Sequence, residues 1–181
     1  WFSPEFTDVG YAPTQPVPFS HRLHAGDLGL DCRYCHYTAE VSPYAAVPPT
    51  AVCMNCHAQV LPDSPRLAPL RRNHERGDPM EWVRVHMLPD YAYFDHSAHL
   101  SAGVGCVECH GRIDQMPVVI QSEPLSMGWC LDCHFDPGGA IRPEGVSVTQ
   151  MDWEAPEGHD LTTAQTGREV NPPIHCSGCH R

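Results

Sequence analysis

All ten cysteines of this chain occur in five pairs, and a histidine directly follows each pair, giving five copies of Cys-x-x-Cys-His. The pairs are Cys32/Cys35, Cys53/Cys56, Cys106/Cys109, Cys130/Cys133 and Cys176/Cys179, and the histidines are His36, His57, His110, His134 and His180. Two intervening residues let one helical turn present both thiols to one edge of a flat ring, and the next residue can place its imidazole beneath that ring. This is the pattern of covalent haem attachment, with histidine as the proximal iron ligand. The sequence therefore predicts five covalently bound haem c groups.

Other uses of paired cysteines fit less well. Because every cysteine belongs to a motif, none is left for a separate disulfide framework or a free nucleophile. Zinc sites also use cysteine and histidine, but they combine pairs at longer range and do not need histidine directly after each pair. Zinc remains the minor alternative.

Two pairs of histidines outside the motifs share the same setting. His21 and His24 lie in FSHRLH, and His96 and His99 lie in FDHSAH, each shortly before a haem motif. A lone histidine is usually a surface or hydrogen-bonded residue, but the repeated context argues otherwise. We expect all four to be distal iron ligands, one of each pair capping its own module's haem and the other reaching a neighbouring haem.

Further distal ligands can be proposed at single positions. His86, in WVRVHMLPDY, is the fifth candidate histidine. A methionine ligand would raise the reduction potential relative to bis-histidine ligation, and Met127 in SMGWC and Met116 in DQMPVV are the candidates, with haem packing as the alternative for both. The other histidines outside the motifs, His74, His159 and His175, are predicted to be ordinary surface or hydrogen-bonded residues.

An internal repeat organises the chain. FSHRLHAGDLGLDCRYCH begins at Phe19 and FDHSAHLSAGVGCVECH begins at Phe94, and each is followed by a second motif. The predicted units are an N-terminal extended segment (1–18), a first di-haem module (19–60), a connector with the His86 segment (61–93), a second di-haem module (94–137), and a long loop ending in the fifth haem (138–181). Within the connector we expect a short helix near Arg66 to Arg76.

The composition predicts a fold that is mostly irregular with short α-helices. The chain has 19 prolines and 14 glycines, and proline interrupts long helices and central strands. Five porphyrins would supply the apolar mass that such a chain lacks. We therefore expect a haem core and an apoprotein that is largely unfolded.

Charge and chemistry limit the partners and the compartment. The formal net charge is −11, and the 11 lysines and arginines form no long basic run, which argues against nucleic acid. An acidic surface suits a basic partner or a fixed place in a complex. Because thioether attachment occurs outside the bacterial cytoplasm, we expect the periplasmic side of the inner membrane. No stretch reaches the roughly 20 apolar residues of a spanning helix, so any anchor is expected upstream of residue 1.

Several segments resemble one family. GYAPTQPVPFSHRLHAG, CMNCH, WVRVHMLPDY, FDHSAH and MGWCLDCH are similar to the pentahaem cytochrome c subunit of bacterial alternative complex III, and the modules also resemble the cytochrome c7/c3-like group. The resemblance implies a subunit that passes electrons from quinol oxidation to a periplasmic cytochrome or terminal oxidase. It implies membrane and iron-sulfur subunits as partners, and a mixture of bis-histidine and histidine–methionine haems.

Two other functions stay open. A freestanding periplasmic electron carrier would show the same motifs. A multihaem enzyme that converts nitrogen compounds needs an iron with an open position, often marked by lysine in place of the motif histidine, whereas all five motifs here end in histidine. The sequence therefore favours electron transfer with no catalysis by the chain itself.

Overall fold

The computed structural model describes residues 8–156, 167 and 170–180. Across these residues the backbone forms short helices joined by irregular segments, and its only β-type pairings are two isolated bridges. The α-helices are α1 (Cys32–Cys35), α2 (Thr50–His57), α3 (Ala68–Arg76), α4 (His96–Ala102), α5 (Val107–His110), α6 (Met127–Phe135) and α7 (Cys176–Cys179). A π-helical turn spans Arg22–Asp27, and 3-10 turns span Pro65–Leu67, Ile113–Gln115 and Gly138–Ala140. The predicted fold class, mostly irregular with short α-helices, is confirmed.

Local signals explain where the helices begin and end. The helix predicted near Arg66 to Arg76 is confirmed as α3, which has a proline in its first turn and ends at Gly77 with φ of 72°. Helix α4 begins after Asp95, whose carboxylate accepts hydrogen bonds from the Ser97 and Ala98 amides, and ends at Gly103 with φ of 91°. Proline suits the first turn and glycine suits the left-handed residue after the last one. Both helices are therefore bounded within two or three turns.

Each of the five motifs lies on a short helix. The first and fifth motifs occupy the single turns α1 and α7, and the third begins at Cys106, which caps α5. The second and fourth motifs occupy the last turns of α2 and α6. One helical turn therefore presents each cysteine pair, as the Cys-x-x-Cys spacing predicted.

The segment predicted as a long loop packs against both modules. Residues 140–153, here called the C-terminal strap, contribute Ile141, Val148 and Met151 to the small buried apolar core. The Arg142 amide donates to the Gly103 carbonyl at 2.7 Å, and the Cys106 amide donates to the Val148 carbonyl at 2.9 Å. The Thr149 hydroxyl donates to Asp31, next to the first motif, at 3.0 Å. The strap is irregular, as predicted, but it joins the first and third motifs.

Truncating the most buried apolar side chain of the strap should destabilise the protein. Ile141 is 2% exposed, and replacing a buried isoleucine with alanine typically costs about 2–5 kcal/mol. We expect Ile141→Ala to lower the free energy of unfolding of the haem-loaded protein by about that amount in a denaturant titration. Ile120→Ala is the matched control, because Ile120 is 38% exposed. Equal losses for the two variants would contradict this account of the strap.

The N-terminal segment lies against the second module and the connector. The Gly10 amide donates to the Gln121 carbonyl at 2.9 Å, and the Gln121 amide donates to the Tyr11 carbonyl at 3.0 Å. The Gln15 side-chain amide exchanges two hydrogen bonds with the backbone of Val83, at 2.8 and 2.9 Å. These contacts order the backbone that leads into Phe19. Of the helices described here, none has both the length and the apolar character needed to cross a membrane.

Candidate haem sites

Four of the five motif histidines face a histidine from the repeated Phe-x-His-x-x-His segments. Imidazole nitrogens bind first-row metal ions at about 2 Å, so two imidazoles on opposite sides of one ion have ring centroids about 6 Å apart. The observed centroid separations are 6.5 Å for His21–His36, 6.2 Å for His24–His57, 6.5 Å for His96–His110 and 6.1 Å for His99–His134. Each pair therefore has the spacing that one iron between the two rings requires.

The two modules connect their histidines in the same way. In each module the first histidine of the repeated segment faces the first motif, and the second histidine faces the second motif. The rings are nearly parallel at the first motif of each module, with interplanar angles of 5° and 8°. At the second motifs they are inclined by 64° and 41°. Both histidines of each repeated segment thus face motifs of their own module, and the binding of all four to iron stays a prediction.

The outer ring nitrogen of most of these histidines is held by a backbone carbonyl. A carbonyl can only accept a hydrogen bond, so Nδ1 must carry the proton and Nε2 keeps its lone pair for a metal. Among the motif histidines, these bonds join His36 to Ala46 (2.9 Å), His57 to Val60 (3.0 Å), His134 to Pro173 (2.7 Å) and His180 to Tyr91 (3.1 Å). Among the facing histidines, they join His24 to Ser20 (2.8 Å), His96 to Pro43 (2.8 Å) and His99 to Asp95 (2.7 Å). The rings are thus set in the form that binds iron.

The phenylalanine of each repeated segment orients both of its histidines. Phe19 stacks on His24 with ring centroids 4.4 Å apart and meets His21 edge-on at 4.9 Å. Phe94 repeats both contacts in the second module, at 4.5 and 4.7 Å. The sequence marked this residue only as part of a repeat. The structure shows that it fixes the direction of the two rings.

The third motif is the most enclosed of the five. Burial, followed by the nearby His86, His96, His36 and His21, lowers the pKa of His110 to about 3. Burial is also the main cause that lowers the pKa of His21 to about 4. An imidazole must be neutral to bind a metal, and this environment disfavours the charged form.

His86 lies beside the third motif. Its Nε2 is 3.3 Å from Nδ1 of His110, and the two rings meet edge-on with centroids 4.4 Å apart. His86 therefore takes the position at His110 that a backbone carbonyl takes at the other four motif histidines. The aromatic neighbour of His180 is Tyr91, with ring centroids 5.8 Å apart. The sequence proposed His86 as a distal ligand, and the structure adds the alternative of a hydrogen-bond partner for a proximal one.

The fifth motif packs on the last residues of the connector. The Tyr93 amide donates to the Cys179 carbonyl at 2.8 Å, and Ala92 forms a β-bridge with His180. A Cβ at Gly178 would lie 2.6 Å from Pro173, so this close turn requires glycine. The last motif is therefore seated directly before Phe94, where the second repeat begins.

The other candidate ligands lie outside the four histidine pairs. Met116 approaches Gly111, directly after the third motif, and Met127 is 66% exposed at the start of α6. Their ligand roles stay predictions. His74 lies 3.3 Å from the Thr50 hydroxyl and His175 lies 3.2 Å from that of Ser177, which agrees with ordinary hydrogen-bonded side chains. His159 lies outside the described residues.

Contacts between cysteines give the order of the five motifs in space. The Cys32 and Cys106 side chains are neighbours, which places the first motif next to the third. The other neighbours within electrostatic reach are Cys35 with Cys53, Cys109 with Cys133, and Cys130 with Cys179. The order is therefore second, first, third, fourth, fifth. Sequence spacing could not show the contact between the modules.

The residues present fit haem better than a bare metal ion. Within the described parts of the chain, no group of three or more His, Cys, Asp or Glu side chains could hold such an ion. Structural zinc needs four protein ligands, whereas a haem iron takes only one or two from the protein. Paired histidines beside paired cysteines match that smaller requirement.

Comparison with known proteins points to the same class of protein as the motifs do, a multihaem cytochrome. No protein-family profile matches the chain. The chain is similar to the multihaem cytochrome c subunit of menaquinone reductase from Nitratidesulfovibrio vulgaris (strain Hildenborough), with 36% identity over 97 residues. The match covers 53% of this chain and 45% of the relative, so the chain spans less than half the length of that relative. This similarity supports a multihaem c-type cytochrome.

Proposed function

We propose that this chain is a pentahaem c-type cytochrome that carries electrons and catalyses no reaction by itself. The observation that carries the proposal is the set of four histidine pairs with ring centroids 6.1–6.5 Å apart, each containing one motif histidine. A bound haem supplies a centre that gains and loses one electron. At these four sites the two histidines would hold the iron between them and leave no position for a substrate, which suits electron transfer better than conversion of nitrogen compounds.

The order of the motifs supports a path with two ends. The second and fifth motifs lie at the ends of the order given by the cysteine contacts, and the exposed cysteines, Cys56 and Cys176, belong to these two motifs. The other eight cysteines are less accessible. We infer that electrons enter at one of these ends and leave at the other.

The proposed setting is a quinone-linked membrane complex. The relative found by comparison is a subunit of menaquinone reductase, and several segments resemble the pentahaem subunit of alternative complex III. We propose that the chain lies on the periplasmic side of the membrane with membrane and iron-sulfur subunits as partners. It would carry electrons from quinol oxidation to a periplasmic cytochrome or terminal oxidase. The net charge of −11 would favour a basic docking partner.

The relative is named as a subunit of a menaquinone reductase. This name favours the opposite direction of electron flow, toward menaquinone. Stopped-flow measurements on the complex purified from its native membrane would separate the two directions. Rapid haem reduction by menaquinol supports quinol oxidation, and rapid haem reduction by a reduced periplasmic cytochrome followed by quinone reduction supports the reverse. Purification of the cytochrome without membrane subunits would instead support the freestanding carrier.

The number of haems can be counted directly. We expect the pyridine haemochrome assay to give five haems per chain, and mass spectrometry to give a mass increase equal to five haems. The Cys176→Ala/Cys179→Ala variant should retain four, because its substitutions lie in the terminal fifth motif. A wild-type count below five would contradict the pentahaem proposal.

A further inference from the structure

Arg142 is a buried cation beside the third haem motif. Its side chain is 1% exposed and forms an ion pair with Glu108, from Nη1 to Oε1, at 3.1 Å. One face of the guanidinium lies 4.3 Å from the centroid of the Trp153 ring. The guanidinium also lies against Gly105, where any Cβ would overlap it. It therefore contacts both an aromatic ring and the residue that precedes Cys106.

The charge of Arg142 is incompletely compensated. Its Nε and Nη2 atoms are buried and have no hydrogen-bond partner among the described residues. Burying a charge without full pairing is costly, and natural proteins tend to accept such local costs at functional sites. The cation–π contact offsets part of this cost, but it leaves the positive charge in place.

Glu108 brings the opposite charge into the motif itself. It lies between the attachment cysteines Cys106 and Cys109, and its side chain is 32% exposed. Glu108 is directly before Cys109 and two residues before His110 in the chain. The carboxylate charge therefore lies next to the residues that would hold the haem.

We propose that Arg142 and Glu108 act as an opposed pair of charges that sets the reduction potential of the haem at the third motif. This inference rests on the proposed haem binding. Reduction removes one positive charge from a haem site, so the guanidinium favours the reduced form and the carboxylate favours the oxidised form. The third motif lies in the middle of the spatial order, and its potential would therefore govern transfer between the two modules.

Redox titration of charge-neutralised variants tests the proposal. In Arg142→Gln we expect the ratio of reduced to oxidised third haem, at fixed potential, to fall about tenfold, as expected for a unit charge about 10 Å away at an effective dielectric constant of about 20. In Glu108→Gln the same ratio should rise, and the double variant should lie near wild type. The titration is followed by electron paramagnetic resonance, with the third haem assigned from its altered spin state in His96→Ala.

Two further variants separate charge from structure. Arg142→Lys keeps the charge and should restore most of the wild-type potential, even if it loses the flat contact with Trp153. Arg33→Gln is the matched control, because Arg33 lies inside the first motif but is 43% exposed and paired with Asp31. Solvent screens such a pair. The reduction potential of the first haem should therefore shift less in Arg33→Gln than that of the third haem shifts in Arg142→Gln.

The outcomes that overturn the proposal are distinct from those that overturn haem binding. Shifts of the same sign in Arg142→Gln and Glu108→Gln, or no shift in either, would show a structural role alone. If Arg142→Gln does not fold, Glu108→Gln still tests the pair, because an unchanged or lower ratio of reduced to oxidised third haem in that variant would contradict the proposal. Haem content is measured first. Fewer than five haems in the wild type would contradict the proposed function, whereas it would not bear on the proposed effect of Arg142 and Glu108 on the reduction potential.

Discussion

Replacing His96 with alanine is expected to convert one of the five haems from low-spin to high-spin. His96 faces His110 with ring planes 8° apart and centroids separated by 6.5 Å. Its Nδ1 donates to the Pro43 carbonyl of the first module at 2.8 Å. This hydrogen bond between the modules sets the orientation of the ring and therefore the direction of its Nε2. Without this ring the iron bound by His110 would have an open position. Optical and electron paramagnetic resonance spectra of the oxidised protein measure the change.

The control for this substitution is His74→Ala. His74 also lies outside the motifs, but its ring is close to the Thr50 hydroxyl rather than opposite a motif histidine. Its removal should leave all five spin states unchanged. Cyanide should bind to one haem in His96→Ala, and added imidazole should restore the low-spin signal. An unchanged wild-type spectrum in His96→Ala would contradict the assigned pair and would direct attention to His86, which contacts the same motif histidine.

Local features of the sequence were sufficient to predict the parts of each candidate site. The Cys-x-x-Cys-His spacing predicted single helical turns, and α1 and α7 are single turns that begin and end with the two cysteines of a motif. The repeated Phe-x-His-x-x-His segments predicted which histidines approach the motifs. Both predictions rest on residue patterns that recur with the same spacing. Such a repeated pattern can be recognised in a single sequence.

Contacts between distant segments could not be predicted. The strap carries Gly, Pro and Glu residues typical of loops, yet its Ile141 and Val148 side chains are buried. Nothing in the periodicity of residues 138–156 marks these two positions, because each is buried by an individual contact and not by a helix face or a strand face. The proximity of Cys32 to Cys106 and the contact of His86 with His110 are of the same kind. All of these contacts join segments that are far apart in the sequence.

Without haem attachment, the chain is expected to lose its fold. The described residues bury few apolar side chains of their own: Val17, Ala39, Leu70, Val85, Ile141, Val148 and Met151. Folding must overcome a conformational entropy cost of about 1–2 kcal/mol for each ordered backbone residue, and burial of one large apolar side chain contributes only about 1.5–3 kcal/mol. Helices of four to nine residues add little, because isolated helices shorter than about 12 residues are marginal in water.

Expression in the cytoplasm, where haem is not attached, would test this expectation on the whole chain. Far-ultraviolet circular dichroism should show little helix, and limited proteolysis should cleave throughout the two modules. The haem-loaded protein from the periplasm, under the same conditions, should resist cleavage there. The variant lacking the fifth motif's cysteines is the graded control, since it should keep the fold of both modules and lose protection mainly near its last residues. A cytoplasmic chain with native helix content and cooperative unfolding would show that the polypeptide alone forms the core, and the haem-core interpretation of the fold would be wrong.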